Sequence, residues 1–70
     1  MRLSTRNQLT GVITEVTLGS VMATVKVRLD GGDQVVTSSI TKDAAVDLGL
    51  EAGQPATVLI KSTEVTIGVE

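Results

Sequence analysis

Three short stretches of this chain hold most of the side chains suited to polar chemistry: Ser4-Thr5-Arg6-Asn7-Gln8, Ser38-Ser39-Ile40-Thr41 and Lys61-Ser62-Thr63. Each is dense in hydroxyls, and two contain a cation. These residue types are donors. Arginine offers a forked, permanently charged set of N–H groups, lysine a compact charge with several N–H bonds, and serine and threonine a hydroxyl that rotates to suit. Their natural ligand carries negative charge and presents only acceptor oxygens, which describes a tetrahedral dianion. Backbone N–H groups at a helix N-terminus would add donors and a favourable dipole, and Thr41 stands where a helix is expected to start. Charge-assisted hydrogen bonds of this kind are roughly twice as strong as neutral ones. A donor-only site also rejects ligands. A phosphate that keeps a proton near neutral pH would point it at other donors, whereas a fully ionised dianion would not.

Plainer readings of the same residues stay open. The first stretch also suits a polar lead-in to a strand, and Lys61-Ser62-Thr63 suits a turn. Thr41 suits a helix cap whether or not it binds anything. Lys26, Arg28 and Lys42 read as solvated face residues. Asp30 and Asp33 resemble a carboxylate pair, but hairpin turns favour Asp for conformational reasons and no catalysis is assigned to them. Met22 reads as the filler of a packing gap at a rim or an interface.

The elements that must position these stretches are legible from periodicity. Gln8 to Leu18, rich in β-branched residues, reads as a strand bent at Gly11. Gly19-Ser20 signals a turn. Val21, Ala23, Val25, Val27 and Leu29 then alternate with Met22, Thr24, Lys26 and Arg28, a period of two with one buried face. Asp30-Gly31-Gly32-Asp33 predicts a tight hairpin into a third strand, Gln34 to Ile40, antiparallel to the second. Thr41 caps a short helix through Ala44, Ala45, Val46 and Leu48, with Asp43 in its first turn and Gly49 ending it. Ala56 to Lys61 alternates as a fourth strand. Val65, Ile67 and Val69 alternate with Glu64, Thr66 and Gly68 as a fifth. Five strands with one short helix between the third and fourth predict an all-β fold, a five-stranded OB-like antiparallel barrel. Residues 1–70 read as a single domain.

Composition narrows the function. A chain of 70 residues buries only about 60% of its unfolded surface and is marginal alone. It has no Cys for disulfides and neither His nor Cys for structural zinc. Oligomerisation is the remaining means of support. The same absences remove the usual general bases and thiol nucleophiles, so no enzyme is expected. With no aromatic residue and a net charge of −2, the chain lacks the stacking platforms and positive field of a nucleic-acid binder. No apolar run approaches a membrane span, and the start lacks a signal-peptide core, so no membrane association and a cytoplasmic location are expected.

The ordered set Ser4-Thr5-Arg6-Asn7-Gln8-Leu9, Gly19-Ser20-Val21-Met22-Ala23, Ser39-Ile40-Thr41, Asp47-Leu48-Gly49-Leu50 and Lys61-Ser62-Thr63-Glu64-Val65 resembles the molbindins. These are the single-domain form of the molybdate-binding Mop module, an OB-like TOBE unit. The resemblance runs over essentially the whole chain. It implies a five-stranded OB-like barrel and dimers assembled into a hexamer, with molybdate or tungstate bound at subunit interfaces and no cofactor. It implies that Ser4 and Arg6 bind the anion from the first motif and Lys61 and Ser62 from the last. Thr41 would add its N–H and hydroxyl from a neighbouring subunit. A further class of site lies at threefold contacts in such proteins, for which Gly19 and Ser20 are candidates. The chain departs from the family at Thr5, where a small residue is usual. The added bulk is expected to alter affinity while leaving the flanking donors intact. Sulfate, like molybdate, is fully ionised, so cavity size must separate the two. The function implied is cytoplasmic storage and homeostasis of the oxyanion. The alternative is a molybdate-responsive regulatory module acting through a protein partner.

Overall fold

A computed structural model describes residues 1–70. The elements are β1 (Asn7–Leu18), β2 (Met22–Leu29), β3 (Val35–Thr41), α1 (Lys42–Asp47), β4 (Pro55–Ile60) and a 3-10 turn at Ser62–Glu64. The strands form one antiparallel sheet in the order β3-β2-β1-β4. The long first strand serves two neighbours in turn. Asn7 to Val12 pairs with Ile60 to Pro55, and Gly11 to Leu18 pairs with Leu29 to Ala23.

Gly11 and Val12 belong to both ladders, and the sheet curls there. A Cβ at Gly11 would lie 2.3 Å from the Arg28 carbonyl oxygen and 2.9 Å from a Val27 methyl. Only glycine lets the β2 backbone come that close. The bend expected at this residue therefore has a steric reason. Two residues further on, the β1–β2 register shifts between Ile13 and Glu15, an irregularity of the kind that bends a strand and increases its twist. The Thr14 hydroxyl there donates to the Lys26 carbonyl at 3.3 Å.

The curled face holds a small core. Ile13, Val25 and Val27 are buried, with Val16, Ile40, Leu50, Ala56 and Val58 packed around them. The alternation of β2 holds for Ala23, Val25 and Val27. It fails at its ends: Val21 lies outside the strand and is 70% exposed, and Leu29 is only half-buried. The hairpin forms as expected, with the Leu29 N–H donating to the Gln34 carbonyl at 2.8 Å and Gly31 at φ 85°. Asp30 has a structural partner, since its carboxylate accepts from the Thr10 hydroxyl at 2.8 Å.

Helix α1 begins and ends by local chemistry. Thr41 is extended (φ −70°, ψ 148°), and its Oγ1 accepts from the Ala44 N–H at 3.1 Å, which makes it the N-cap. At the other end Gly49 turns left-handed at φ 61°. The Leu50 N–H then reaches the Ala45 carbonyl and the Gly49 N–H reaches the Val46 carbonyl, a Schellman closure. That closure swings Leu50 into the core, while buried Ala45 docks the helix on β2 and β3.

The expected fifth strand is absent. Val65 to Glu70 form no regular element, with Ile67 at 85% and Val69 at 90% exposure. The alternation is real, but a strand needs a ladder partner. The chain leaves β4 through the 3-10 turn at Ser62–Glu64, and no strand pairs with the residues beyond it. The fold is thus a curled four-stranded sheet with one helix, open between its β3 and β4 edges rather than closed as a five-stranded barrel.

Gly11→Ala is expected to lower stability by about 2 kcal/mol, the scale of an overpacked backbone contact. Gly32→Ala, with nothing within 4 Å of the added Cβ, is expected to be near neutral. Urea unfolding midpoints of the two variants test the contrast.

Candidate functional site

Ser4, Thr5 and Arg6 come just before β1, and Lys61, Ser62 and Thr63 come just after β4. The last rung of the β1–β4 ladder joins Asn7 to Ile60. Antiparallel pairing then brings the two flanking stretches side by side, although they are far apart in sequence. The Asn7 side chain locks this rung by donating from Nδ2 to the Ile60 carbonyl at 3.0 Å. The lead-in is folded by its own side chains: Gln8 Nε2 donates to the Thr5 carbonyl at 2.8 Å, and Arg6 Nε donates to the Ser4 carbonyl at 3.2 Å. On the other side, the Glu64 N–H bonds the Lys61 carbonyl at 2.9 Å and the Val65 N–H bonds the Ser62 carbonyl at 3.3 Å, which fixes the 3-10 turn.

These six residues line a cavity of about 220 Å3 that contains no hydrophobic side chain. Its inventory is three Ser or Thr hydroxyls beyond Ser4, one guanidinium and one ammonium. Arg6 spends one N–H on Ser4 and keeps the rest of its donors. Neither cation has a carboxylate partner, because the sole ion pair of the chain joins Lys26 to Glu15 at 3.5 Å. An acidic protein of net charge −2 therefore concentrates two uncompensated positive charges among hydroxyls. No group of His, Cys, Asp and Glu is placed to hold a metal ion. The pocket is built to take an anion rich in acceptor oxygens.

The pocket is also open. All of its lining residues except Thr5 are exposed. Its volume equals that of roughly seven waters, so an oxyanion touching these donors would leave one side to solvent.

Of the expected site residues, Ser4, Arg6, Lys61 and Ser62 meet in this cavity. Thr41 does not. It pairs with Met22 at the end of β3, beyond the Leu18–Ala23 rung and so at the opposite end of β1 from Arg6. The third hydroxyl stretch is split: Ser38 faces an apolar groove, and Ser39 pairs with Thr24. Thr5 and Thr63 also line the cavity, outside the ligand set expected from the sequence. The sequence signal for them was their place within the same two hydroxyl motifs. Asn7 and Gln8, from the same motif as Arg6, hold the loop instead of lining the pocket. Gly19 donates its N–H to the Met22 carbonyl at 2.8 Å, a turn contact away from this cavity.

The TOBE domain family matches residues 3–67 of the chain. The chain belongs to the TOBE domain family, in its Mop form. It is 41% identical to a probable molybdenum-pterin-binding protein of Haemophilus influenzae over 70 residues, covering all of both chains. It is 46% identical to molybdenum-pterin-binding protein 3 of Clostridium pasteurianum over 67 residues, covering 96% of this chain and 97% of that one. Among solved structures it superposes on ModG, described as a cytoplasmic molybdate-binding protein and solved with molybdate bound. There the TM-score is 0.92 and the identity 43%, covering 100% of this chain and 49% of ModG. The Mop proteins are binding proteins, not enzymes. No helix of the chain is long and apolar enough to cross a membrane.

Arg6 is exposed and makes only a local hydrogen bond, so Arg6→Gln is expected to leave the anion-free protein's thermal midpoint within about 2 °C, as for a surface substitution. Thr41→Ala is expected to destabilise it by about 1 kcal/mol through loss of the cap. Thermal melts without added oxyanion would separate the two.

Proposed function

We propose that this chain binds molybdate or tungstate as a cytoplasmic storage and homeostasis protein. The anion is held by Ser4, Arg6, Lys61 and Ser62 of one copy and closed in by Thr41 of another. The observation that carries this reading is the all-donor cavity with two cations and no carboxylate partner. Such a site favours a fully ionised tetrahedral oxyanion over a protonated one. The chain has no aromatic residue to stack on a pterin ring, so the bare oxyanion fits it better than a pterin complex. ModG, 43% identical to this chain and solved with molybdate bound, supports the reading.

Two observations support binding between copies. The cavity lacks a wall, and Thr41 lies at the far end of the sheet in its own chain. A second subunit supplies both, excludes water and strengthens each charge-assisted bond. Residues 1–70 act as one Mop module in this reading, with dimers assembled into a hexamer and neither nucleic acid nor membrane as partner.

Isothermal titration calorimetry with molybdate, sulfate and phosphate tests the proposal. Tight molybdate binding with little heat from the other two is expected. Hydrogen bonds to a charged partner contribute about 1.5–3 kcal/mol, so Arg6→Ala and Lys61→Ala should each weaken molybdate binding roughly ten- to hundredfold. Molybdate should also raise the thermal midpoint of the assembly by mass action. No heat and no thermal shift with molybdate would overturn the reading. A partner protein recovered from cells only when molybdate is present would favour a regulatory module over a store.

A further inference from the structure

Of the six residues around the donor cavity, Thr5 alone is half-buried. Its backbone is fixed by a residue that does not line the cavity, since Gln8 Nε2 donates to the Thr5 carbonyl at 2.8 Å. The residues on either side of it are tied to each other, with Arg6 Nε donating to the Ser4 carbonyl at 3.2 Å. Two hydrogen bonds therefore hold the short loop in which Thr5 sits, and neither uses its side chain.

The Thr5 hydroxyl is uncommitted. Thr10, Thr14 and Thr41 each engage theirs, with the Asp30 carboxylate, the Lys26 carbonyl and the Ala44 N–H. The Thr5 hydroxyl neither donates nor accepts a hydrogen bond within the chain. It is not sealed off either, because no side-chain polar atom is buried without a partner. A half-buried residue thus keeps its polar atom open to solvent, on a cavity that also holds Arg6 and Lys61.

Three properties set this hydroxyl apart from those of Ser4 and Ser62. A β-branched side chain is stiff at χ1, so its oxygen occupies few positions before a ligand arrives. Its backbone is already held, whereas ordering a mobile exposed side chain opposes binding. Half-burial leaves it less water to lose. With no acceptor in its own chain, its proton is available to a charged oxygen, and hydrogen bonds to charged groups are the strong ones.

We propose that Thr5 is a further ligand of the oxyanion, donating through its hydroxyl, and that this donor is a larger contribution of the side chain than its bulk. The inference rests on the oxyanion reading of the cavity and deepens it. Ser4, Arg6, Lys61 and Ser62 surround the anion with exposed donors, and Thr5 adds one held in place beforehand. Gln8 acts through Thr5 as a positioning residue, because its amide fixes the backbone that carries the hydroxyl.

The test separates hydroxyl from bulk. Thr5→Val keeps the shape and loses the hydroxyl, Thr5→Ser keeps the hydroxyl and loses the methyl, and Thr5→Ala loses both. Each is titrated with molybdate by calorimetry beside the unsubstituted protein, and each is melted without added oxyanion. Thr5→Val and Thr5→Ala are expected to bind molybdate about tenfold more weakly, the effect of one lost hydrogen bond to a charged group. Thr5→Ser is expected to stay within about threefold of the unsubstituted protein. The anion-free thermal midpoint of Thr5→Val should move by no more than about 2 °C, since the hydroxyl has no partner in the chain. A Thr5→Val protein that binds as the unsubstituted one does would overturn the inference and leave the oxyanion reading standing. So would a Thr5→Ala protein that binds as tightly or more tightly, which would assign the side chain a steric role. Thr5→Ser as weak as Thr5→Ala would have the same force. If Thr5→Val does not fold, the contrast between Ser and Ala decides. An unsubstituted protein that gives no heat with molybdate would overturn both readings together.

Discussion

The architecture depends on one close approach, the β2 backbone against Gly11. This residue is paired on both sides at once, with Leu29 in β2 and Ala56 in β4. Because it has no Cβ, the Arg28 carbonyl can come close enough for the sheet to fold over itself. The curl sets Val58 and Ala56 of β4 around the same core as Val25 and Val27 of β2. It also fixes where β4 ends relative to β1. The anion pocket is a consequence of that placement, since its two halves meet only because the ladder beginning at Gly11 and Val12 runs out at Asn7 and Ile60.

The electrostatics of the pocket come from what the fold leaves out. The acidic residues nearest in sequence do not compensate Arg6 or Lys61, and the carboxylate that does pair, Glu15, is committed to Lys26 in the middle of the sheet. Asp30 is likewise held by Thr10. With no counter-ion inside the protein, the two cations are left to whatever anion arrives from outside. The hydroxyls around them turn as needed without cost in backbone rearrangement.

Much of this was legible in the residues, and the reasons differ by element. The β2 alternation and the Asp30–Asp33 hairpin are read directly, because a period of two and a pair of glycines are local signals. The helix is read from Thr41 and Gly49, whose capping roles depend on a few neighbouring atoms. The four lining residues Ser4, Arg6, Lys61 and Ser62 were legible as donors, but their meeting is a property of register, which no local pattern encodes. The fifth strand was misread for a related reason. Val65, Ile67 and Val69 carry a strand's alternation, which tells which face would be buried but not against what, and the Ser62–Glu64 turn denies them a partner in their own chain. Val21 shows the same limit in miniature: its position in the alternation is right, but it lies one residue before the ladder begins. Thr41 is a helix cap in this chain, and no local pattern encodes that it sits at the opposite end of β1 from the arginine.

The Asn7–Ile60 rung has a consequence for how this site can vary over evolutionary time. Side chains along a strand change face at every step, so inserting or deleting one residue flips all that follows. Arg6 and Lys61 each sit a single step beyond the paired rung. A one-residue change of length in either strand would turn its cation to the other surface while leaving most of the core alternation to be recovered by a register slip. Changes of two residues, matched in both strands, would preserve it. The spacing from Arg6 to Gly11 and from Ala56 to Lys61 is therefore constrained in parity, so that the sheet can be lengthened here only in even steps.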